Sequence, residues 1–289
     1  MNWREIEEHV ARALAEDVGI GDVTTQCIVS DDARGRAVVV AREAGVVAGL
    51  PLVELVYGRL DGRVQVARLV QEGSAVSVGC RVAVLVGPTR ALLSGERVAL
   101  NYLQYLSGIA TRTAALVGAV HGTRARIVDT RKTVPGLRAL AKYAVRQGGG
   151  TNHRFGLFDG VLIKDNHIAA SGGVREAVCR ARAVASHLLR IEVEADSLAQ
   201  VREALDAGAD VILLDNMGPD QLREAVELCR GRARTEASGG ITAQNIRAVA
   251  ETGVDLISVG ALTHSVTALD LGLDWEPAEA CPERNPAAG

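Results

Sequence analysis

The sequence predicts an α/β protein in which a small antiparallel sheet domain precedes a closed or nearly closed parallel α/β barrel. Three observations lead there. From about residue 126 onward, short apolar runs alternate with amphipathic stretches at about 20 to 30 residues per unit, the rhythm of a parallel sheet with helical crossovers. The runs are continuous, as when a strand is covered on both faces. Each run ends in a polar residue or a glycine, and in a barrel those ends converge on one rim.

Residues 3–17 carry a helical stripe of Ile6, Val10, Ala13 and Leu14. From 35 to 87 the text turns β-like. Ala37-Val38-Val39-Val40, Val46-Val47-Ala48, Val64-Gln65-Val66, Val76-Ser77-Val78 and Val82-Ala83-Val84-Leu85-Val86 are punctuated by glycines and Asp61-Gly62, which predicts a small antiparallel sheet. Glu72-Gly73-Ser74-Ala75-Val76 is reminiscent of biotinyl and lipoyl carriers, but the segment has no lysine to modify, so a carrier role is excluded. Helices are expected at 91–106 and 110–121. Strands at 126–129, 160–164, 190–194, 210–215, 234–237 and 256–259 then alternate with helices such as 174–188, 198–207, 220–229 and 243–252. Ser197 with Gln200 makes a capping box, Pro219 sits in a first turn, and Gly208 and Gly253 follow helix ends.

Composition narrows the function classes. With 289 residues, 48% of them hydrophobic, the chain can bury a large core. A net charge of -3 gives no overall field for nucleic acid. The acidic N-terminal stretch has no apolar export segment behind it, and no window approaches the roughly 18 apolar residues of a membrane span. Five scattered cysteines form no C-x-x-C pair and no zinc-spaced cluster, so they are expected to be reduced thiols of a cytoplasmic protein. Only Lys132, Lys142 and Lys164 are lysines among 32 basic residues, which points to places where a compact ammonium cannot be exchanged for a guanidinium.

The strand ends carry the chemistry. In order they read Asp129-Thr130-Arg131-Lys132, Lys164-Asp165-Asn166-His167, Glu194, Asp215-Asn216, Ser238-Gly239-Gly240 and Gly260. Between 124 and 165 nine Lys/Arg face three acids. Arg138, Lys142 and Arg146, spaced four apart, fit an exposed helix face. Arg131, Lys132, Arg154 and Lys164 are the candidates for a buried anion site, since Arg grips carboxylate or phosphate bidentately and Lys acts as a point charge. Ser238-Gly239-Gly240 and Gly260-Ala261 lie on the last two units, where barrels often bind phosphate through backbone N–H groups and a helix N-terminus. Gly148-Gly149-Gly150 fits no P-loop and is expected to be a flexible active-site loop. Glu194 and Asp215 could serve as acid and base, as magnesium ligands or as acceptors for sugar hydroxyls; the cationic surroundings favour a ribose or its magnesium.

At these residues the sequence resembles the quinolinate phosphoribosyltransferase family. The likeness runs through Thr130-Arg131-Lys132-Thr133, Pro135-Gly136-Leu137-Arg138, Gly148-Gly149-Gly150-Thr151-Asn152-His153-Arg154, Leu162-Ile163-Lys164-Asp165-Asn166-His167 and Leu213-Leu214-Asp215-Asn216-Met217, and covers nearly the whole chain. It implies an N-terminal α+β sandwich-like domain (1–108, with the tail 266–289 packing back on it), an incomplete α/β barrel (109–265), and a homodimer, with a higher oligomer open. Arg97 would then reach the neighbouring subunit's site. Thr130, Arg131, Lys132, His153, Arg154 and Lys164 would hold the quinolinate carboxylates and the pyrophosphate of phosphoribosyl pyrophosphate. Glu194 and Asp215 would hold the ribose and its Mg²⁺, which is carried mainly by the substrate; Glu192, on the same strand face, is the alternative to Glu194. Ser238, Gly239, Gly240, Val259, Gly260 and Ala261 would receive the 5-phosphate, and Lys132, Lys164, Glu194 and Asp215 would form the catalytic set. Two alternatives stay open: a paralogue acting on another pyridine, such as the molybdenum-operon relative, and a non-catalytic phosphate-binding barrel that senses a metabolite.

Overall fold

The structure, a computed structural model, describes residues 3–276. Up to residue 119 the elements are α1 (Trp3–Asp17), α2 (Val23–Ile28), β1 (Arg34–Ala41), β2 (Gly45–Val46), α3 (Leu50–Leu60), β3 (Gln65–Arg68), β4 (Ala75–Val76), β5 (Arg81–Pro88) and α4 (Thr89–Ala119). There follow β6 (Arg126–Val128), α5 (Arg138–Gln147), β7 (Val161–Ile163), α6 (Asp165–Ser171), α7 (Val174–Val184), β8 (Ile191–Ala195), α8 (Leu198–Asp206) and β9 (Val211–Asp215). The chain continues through α9 (Pro219–Cys229), β10 (Arg234–Ser238), α10 (Ile246–Ala250), β11 (Leu256–Ser258), α11 (Ala261–His264) and β12 (Leu271–Glu276). Among the described residues two compact units result, 3–111 with 267–276 and 112–266. Of the tail expected to fold back, β12 pairs antiparallel with β1, while 277–289 lie outside the described residues.

In the first unit a four-stranded sheet has the order β12-β1-β5-β3, every pairing antiparallel. α1 buries Ile6, Val10 and Leu14, four apart on one stripe. α3 was not expected from the sequence. Its Leu50, Leu52, Val53, Val56 and Tyr57 are buried, while the outer face carries Pro51, Leu55 and Gly58 beside Glu54 and Arg59, too little polar contrast to make the helix legible, and Pro51 at its first turn is the remaining signal. The break expected near 107–109 is absent, and one 31-residue helix replaces two. Gly108 sits inside it because any Cβ there would strike the Thr267 carbonyl, so this glycine serves close approach and not helix termination.

The second unit holds a six-stranded sheet in the order β6-β11-β10-β9-β8-β7, with every pairing parallel. That order is sequential except that the first strand comes round to pair with the last, which is how a barrel closes. Closure is incomplete: β6 and β7 do not pair, and the free edge of β6 meets only a bridge from Val128 to Thr151. The predicted fold class is the observed one.

Alternation along the strands decides what lies where. Ile191, Val193 and Ala195 of β8 and Ile212 and Leu214 of β9 are fully buried on the outer, helix-facing side. The intervening Glu192, Glu194, Leu213 and Asp215 line cavities inside the barrel. No helix among the described residues is long and apolar enough to cross a membrane. Cys27, Cys80, Cys179 and Cys229 are free thiols.

Candidate active site

A cavity of about 660 Å³ occupies the C-terminal mouth of the barrel. Thr130, Arg131 and Lys132 enter it after β6, His153 and Arg154 after the helix α5, and Lys164 after β7. Glu194 enters from β8, Asp215 and Asn216 from β9, and Ser238, Gly239 and Gly240 from β10. Gly260 abuts the site, since a Cβ there would lie 3.0 Å from the Lys132 side chain. The hydroxyl of the buried Thr263 donates to the Lys132 carbonyl at 2.8 Å, which fixes that loop. Val259 is buried at the end of β11 and Ala261 opens α11; neither lines the cavity. Arg97 lies exposed on α4, in the first unit, and lines no wall of this cavity.

The cationic wall is built to receive an anion. The Nε atoms of Arg131 and Arg154 are both buried without a hydrogen-bond partner. Burial, and then the neighbouring charge of Arg131, pull the Arg154 guanidinium below its ordinary pKa. A carboxylate or phosphate placed between them would satisfy both donors and relieve the repulsion.

Asp129 and Lys142 hold this wall in place. Lys142 is 3% exposed, not on an open helix face as its spacing suggested, and its ammonium is paired with Asp129, which is fully buried. Asp129 also accepts from Asn152 Nδ2 at 2.6 Å and from the His153 backbone N–H at 2.9 Å, and Lys142 donates to the His153 carbonyl at 3.0 Å. Burial raises the Asp129 pKa, while Lys142 and these donors oppose the rise. Nor is Gly148-Gly149-Gly150 a loose loop. Gly149 has φ +84°, Gly149 N–H bonds the Arg146 carbonyl and Gly150 N–H the Val145 carbonyl, the hydrogen bonds of a Schellman helix end. The turn aims 151–154 at the barrel interior.

On the opposite wall Glu194 accepts from Lys164 at 3.0 Å, and Asp215 accepts from Asn216 Nδ2 at 2.8 Å. Asn216 has φ 55°, and its N–H bonds the Ser238 carbonyl at 2.9 Å. Gly239, at φ +87°, packs so closely on the Asn216 side chain that a Cβ would collide with it. The Ser238-Gly239-Gly240 turn is thus locked to β9. α10 begins only at Ile246, so the turn presents its own backbone and not the helix N-terminus expected there.

Beneath the rim lies a polar floor. Glu192, one pleat deeper than Glu194, accepts from His153 Nε2 at 3.0 Å, and Glu236 approaches the same nitrogen at 3.7 Å. His153 Nδ1 accepts from the Arg154 N–H at 2.7 Å, which places the proton of the neutral ring on Nε2. Burial disfavours the imidazolium, but Glu192 and Glu236 outweigh it and raise the His153 pKa. Burial, then the charge of Glu192, push the Glu236 carboxyl up to about 7.

Family models for the quinolinate phosphoribosyl transferase N-terminal and C-terminal domains match residues 22–107 and 109–274. The chain belongs to the quinolinate phosphoribosyl transferase family. Within that family it is 47% identical to nicotinate-nucleotide pyrophosphorylase (carboxylating) of Mycobacterium leprae, over 92% of this chain and 95% of that one. It is 41% identical to a mitochondrial quinolinate phosphoribosyltransferase (decarboxylating) of Nicotiana tabacum, over 93% and 82%. The solved nicotinate-nucleotide pyrophosphorylase of Francisella tularensis superposes with a TM-score of 0.90 at 39% identity, covering 94% of this chain and 96% of the other. In this member of the quinolinate phosphoribosyl transferase family, Glu236 and Ser258 line the cavity without having been expected from the sequence. Glu236 and Ser258 sit two residues before Ser238 and Gly260, so the strand alternation could have found both.

Proposed function

We propose that the chain transfers phosphoribosyl from phosphoribosyl pyrophosphate to quinolinate with decarboxylation, giving nicotinate mononucleotide, pyrophosphate and CO2, a step of de novo NAD biosynthesis in the cytoplasm. The observation that carries this reading is the single cavity that joins a cationic wall, a carboxylate pair and a glycine turn. Quinolinate is a dicarboxylate, and Arg131 and Arg154 offer two unpaired Nε donors on one side. Lys132 and Lys164 face the pyrophosphate, and the Ser238-Gly239-Gly240 turn takes the 5-phosphate through backbone N–H groups.

The pyridine nitrogen displaces pyrophosphate at the anomeric carbon through a transition state with positive charge on the ribose. Glu194 and Asp215 favour that charge, and the wall holds the nucleophile in line. One oxygen of each acid is engaged by Lys164 or Asn216, which leaves the other for a hard cation, so the pair fits Mg²⁺ carried by the substrate. When bound, Mg²⁺ would neutralise the departing pyrophosphate. Arg97, exposed on α4, is proposed to complete the site of a second subunit in a homodimer.

Incubation with quinolinate, phosphoribosyl pyrophosphate and Mg²⁺ should release pyrophosphate and CO2 in equal amounts. Turnover of nicotinate alone would overturn the assignment. Inactive Arg97→Ala and Lys164→Ala proteins should regain partial activity after subunit exchange; failure with exchange confirmed would refute the shared site.

A further inference from the structure

We propose that Glu236 is the acid that gives a proton to the ring carbon vacated by the carboxylate, and that a cavity at the opposite end of the barrel reloads it. The inference rests on the decarboxylating transfer above. When the carboxylate beside the quaternary nitrogen leaves, the C–C bond breaks heterolytically: CO2 departs and the electron pair stays on the ring carbon. That carbon must gain H⁺ to give the product. Arg131 and Arg154 cannot supply it, because a guanidinium does not deprotonate in a protein.

Glu236 is placed to do so. It lines the floor of the upper cavity, is 1% exposed, and its Oε1 has no hydrogen-bond partner. Across the sheet it lies level with Leu213 on β9 and Leu256 on β11, so neither neighbour offers a counter-charge. The titratable and charged groups around it are Glu192 on β8, Asp129 after β6, and His153 and Arg154; Ser258 on β11 adds a hydroxyl. His153 donates its Nε2–H to Glu192, and Glu236 is left as the carboxyl without that donor, in line with its raised pKa.

The second cavity, about 630 Å³, opens at the strand starts among Arg126, Arg190 and Arg234. His153, Arg154 and Glu236 line both cavities, while Glu192 lines only the lower one and Glu194 only the upper. Polar walls of this kind admit water. In the step itself the Glu236 O–H bond breaks as the new C–H bond forms. The carboxylate left behind is reprotonated from bulk solvent through water in the lower cavity, so each turnover consumes one solvent H⁺.

The test is a single turnover of Glu236→Gln with quinolinate and phosphoribosyl pyrophosphate, following pyrophosphate, CO2 and the dicarboxylated nucleotide by mass spectrometry. Pyrophosphate release should stay near the wild-type rate while nicotinate mononucleotide formation falls about 100-fold, the lower end of general-acid contributions, and the dicarboxylated nucleotide accumulates. Glu236→Asp, an acid one methylene shorter, should recover part of the product. Pyrophosphate and CO2 falling together in equal amounts would overturn the proposal, and the same ratio read on Glu236→Asp decides the matter if the Gln protein does not fold. Wild-type protein that releases no pyrophosphate from quinolinate would instead refute the functional reading itself.

Discussion

Replacing Lys142 by Met isolates the buried pair behind the cationic wall. Met fills much the same volume but removes the charge, and Asp129 keeps its bonds from Asn152 and the His153 N–H. With no counter-ion at zero exposure, the carboxyl takes up a proton in the folded state. Burial already raises its pKa from the ordinary 3.8 beside Lys142, so breaking the pair should cost about 3 to 5 kcal/mol at about pH 7, the scale for removing one partner of a buried ion pair. The sign follows from proton binding. Above 3.8 the unfolded carboxyl is ionised while the folded one is not, so stability falls as pH rises, and the deficit should be smaller at about pH 5 than at about pH 7. Urea denaturation of both proteins at the two pH values measures it. A loss under about 1 kcal/mol at neutral pH, or the same loss at both, would refute the view that Lys142 is the required counter-charge.

Lys132→Ala should cost about 2 to 3 kcal/mol of transition-state stabilisation, read as kcat/KM, and an unchanged turnover would remove Lys132 from the site. Gly239→Ala forces an αL backbone on alanine and displaces Asn216. It should cost about 1 to 2 kcal/mol in urea melts and raise KM for the phosphoribosyl donor more than it lowers kcat; unaltered KM would argue against the phosphate cradle. Glu236→Gln should flatten the pH dependence of stability. Burial and the Glu192 charge raise the folded wild-type carboxyl to about 7 from its ordinary 4.5, so wild-type stability should fall as pH rises between those values, and an equal slope in the variant would contradict its buried titration.

Much of this site was legible because a parallel strand repeats two signals, a continuous apolar run and a polar end. The stretches ending at Asp129, Lys164, Glu194, Asp215 and Ser238 all show both, and their mouth-facing residues come together. What stayed hidden depended on tertiary partners. The four-residue spacing of Arg138, Lys142 and Arg146 looks like an exposed face, yet α5 buries every residue from Leu140 to Val145, and only Asp129 across the fold explains the buried ammonium. Triple glycine reads as mobility until its hydrogen bonds are seen to end a helix. α3 was missed because its less buried face carries Pro51, Leu55 and Gly58, which leaves little polar contrast to mark a helix. Gly108 looked like a boundary because sequence cannot show what approaches a missing side chain.

The strand alternation that sends Ile191, Val193, Ile212 and Leu214 outward and the acids and arginines inward has a consequence for change over time. The ring's cohesion comes from its contact with the helical jacket, and the lumen contributes little of it. Lumen positions can therefore be exchanged for new polar groups without hollowing out the material that keeps the sleeve upright. Such a scaffold can revise its chemistry from within while its outer seam stays as it was.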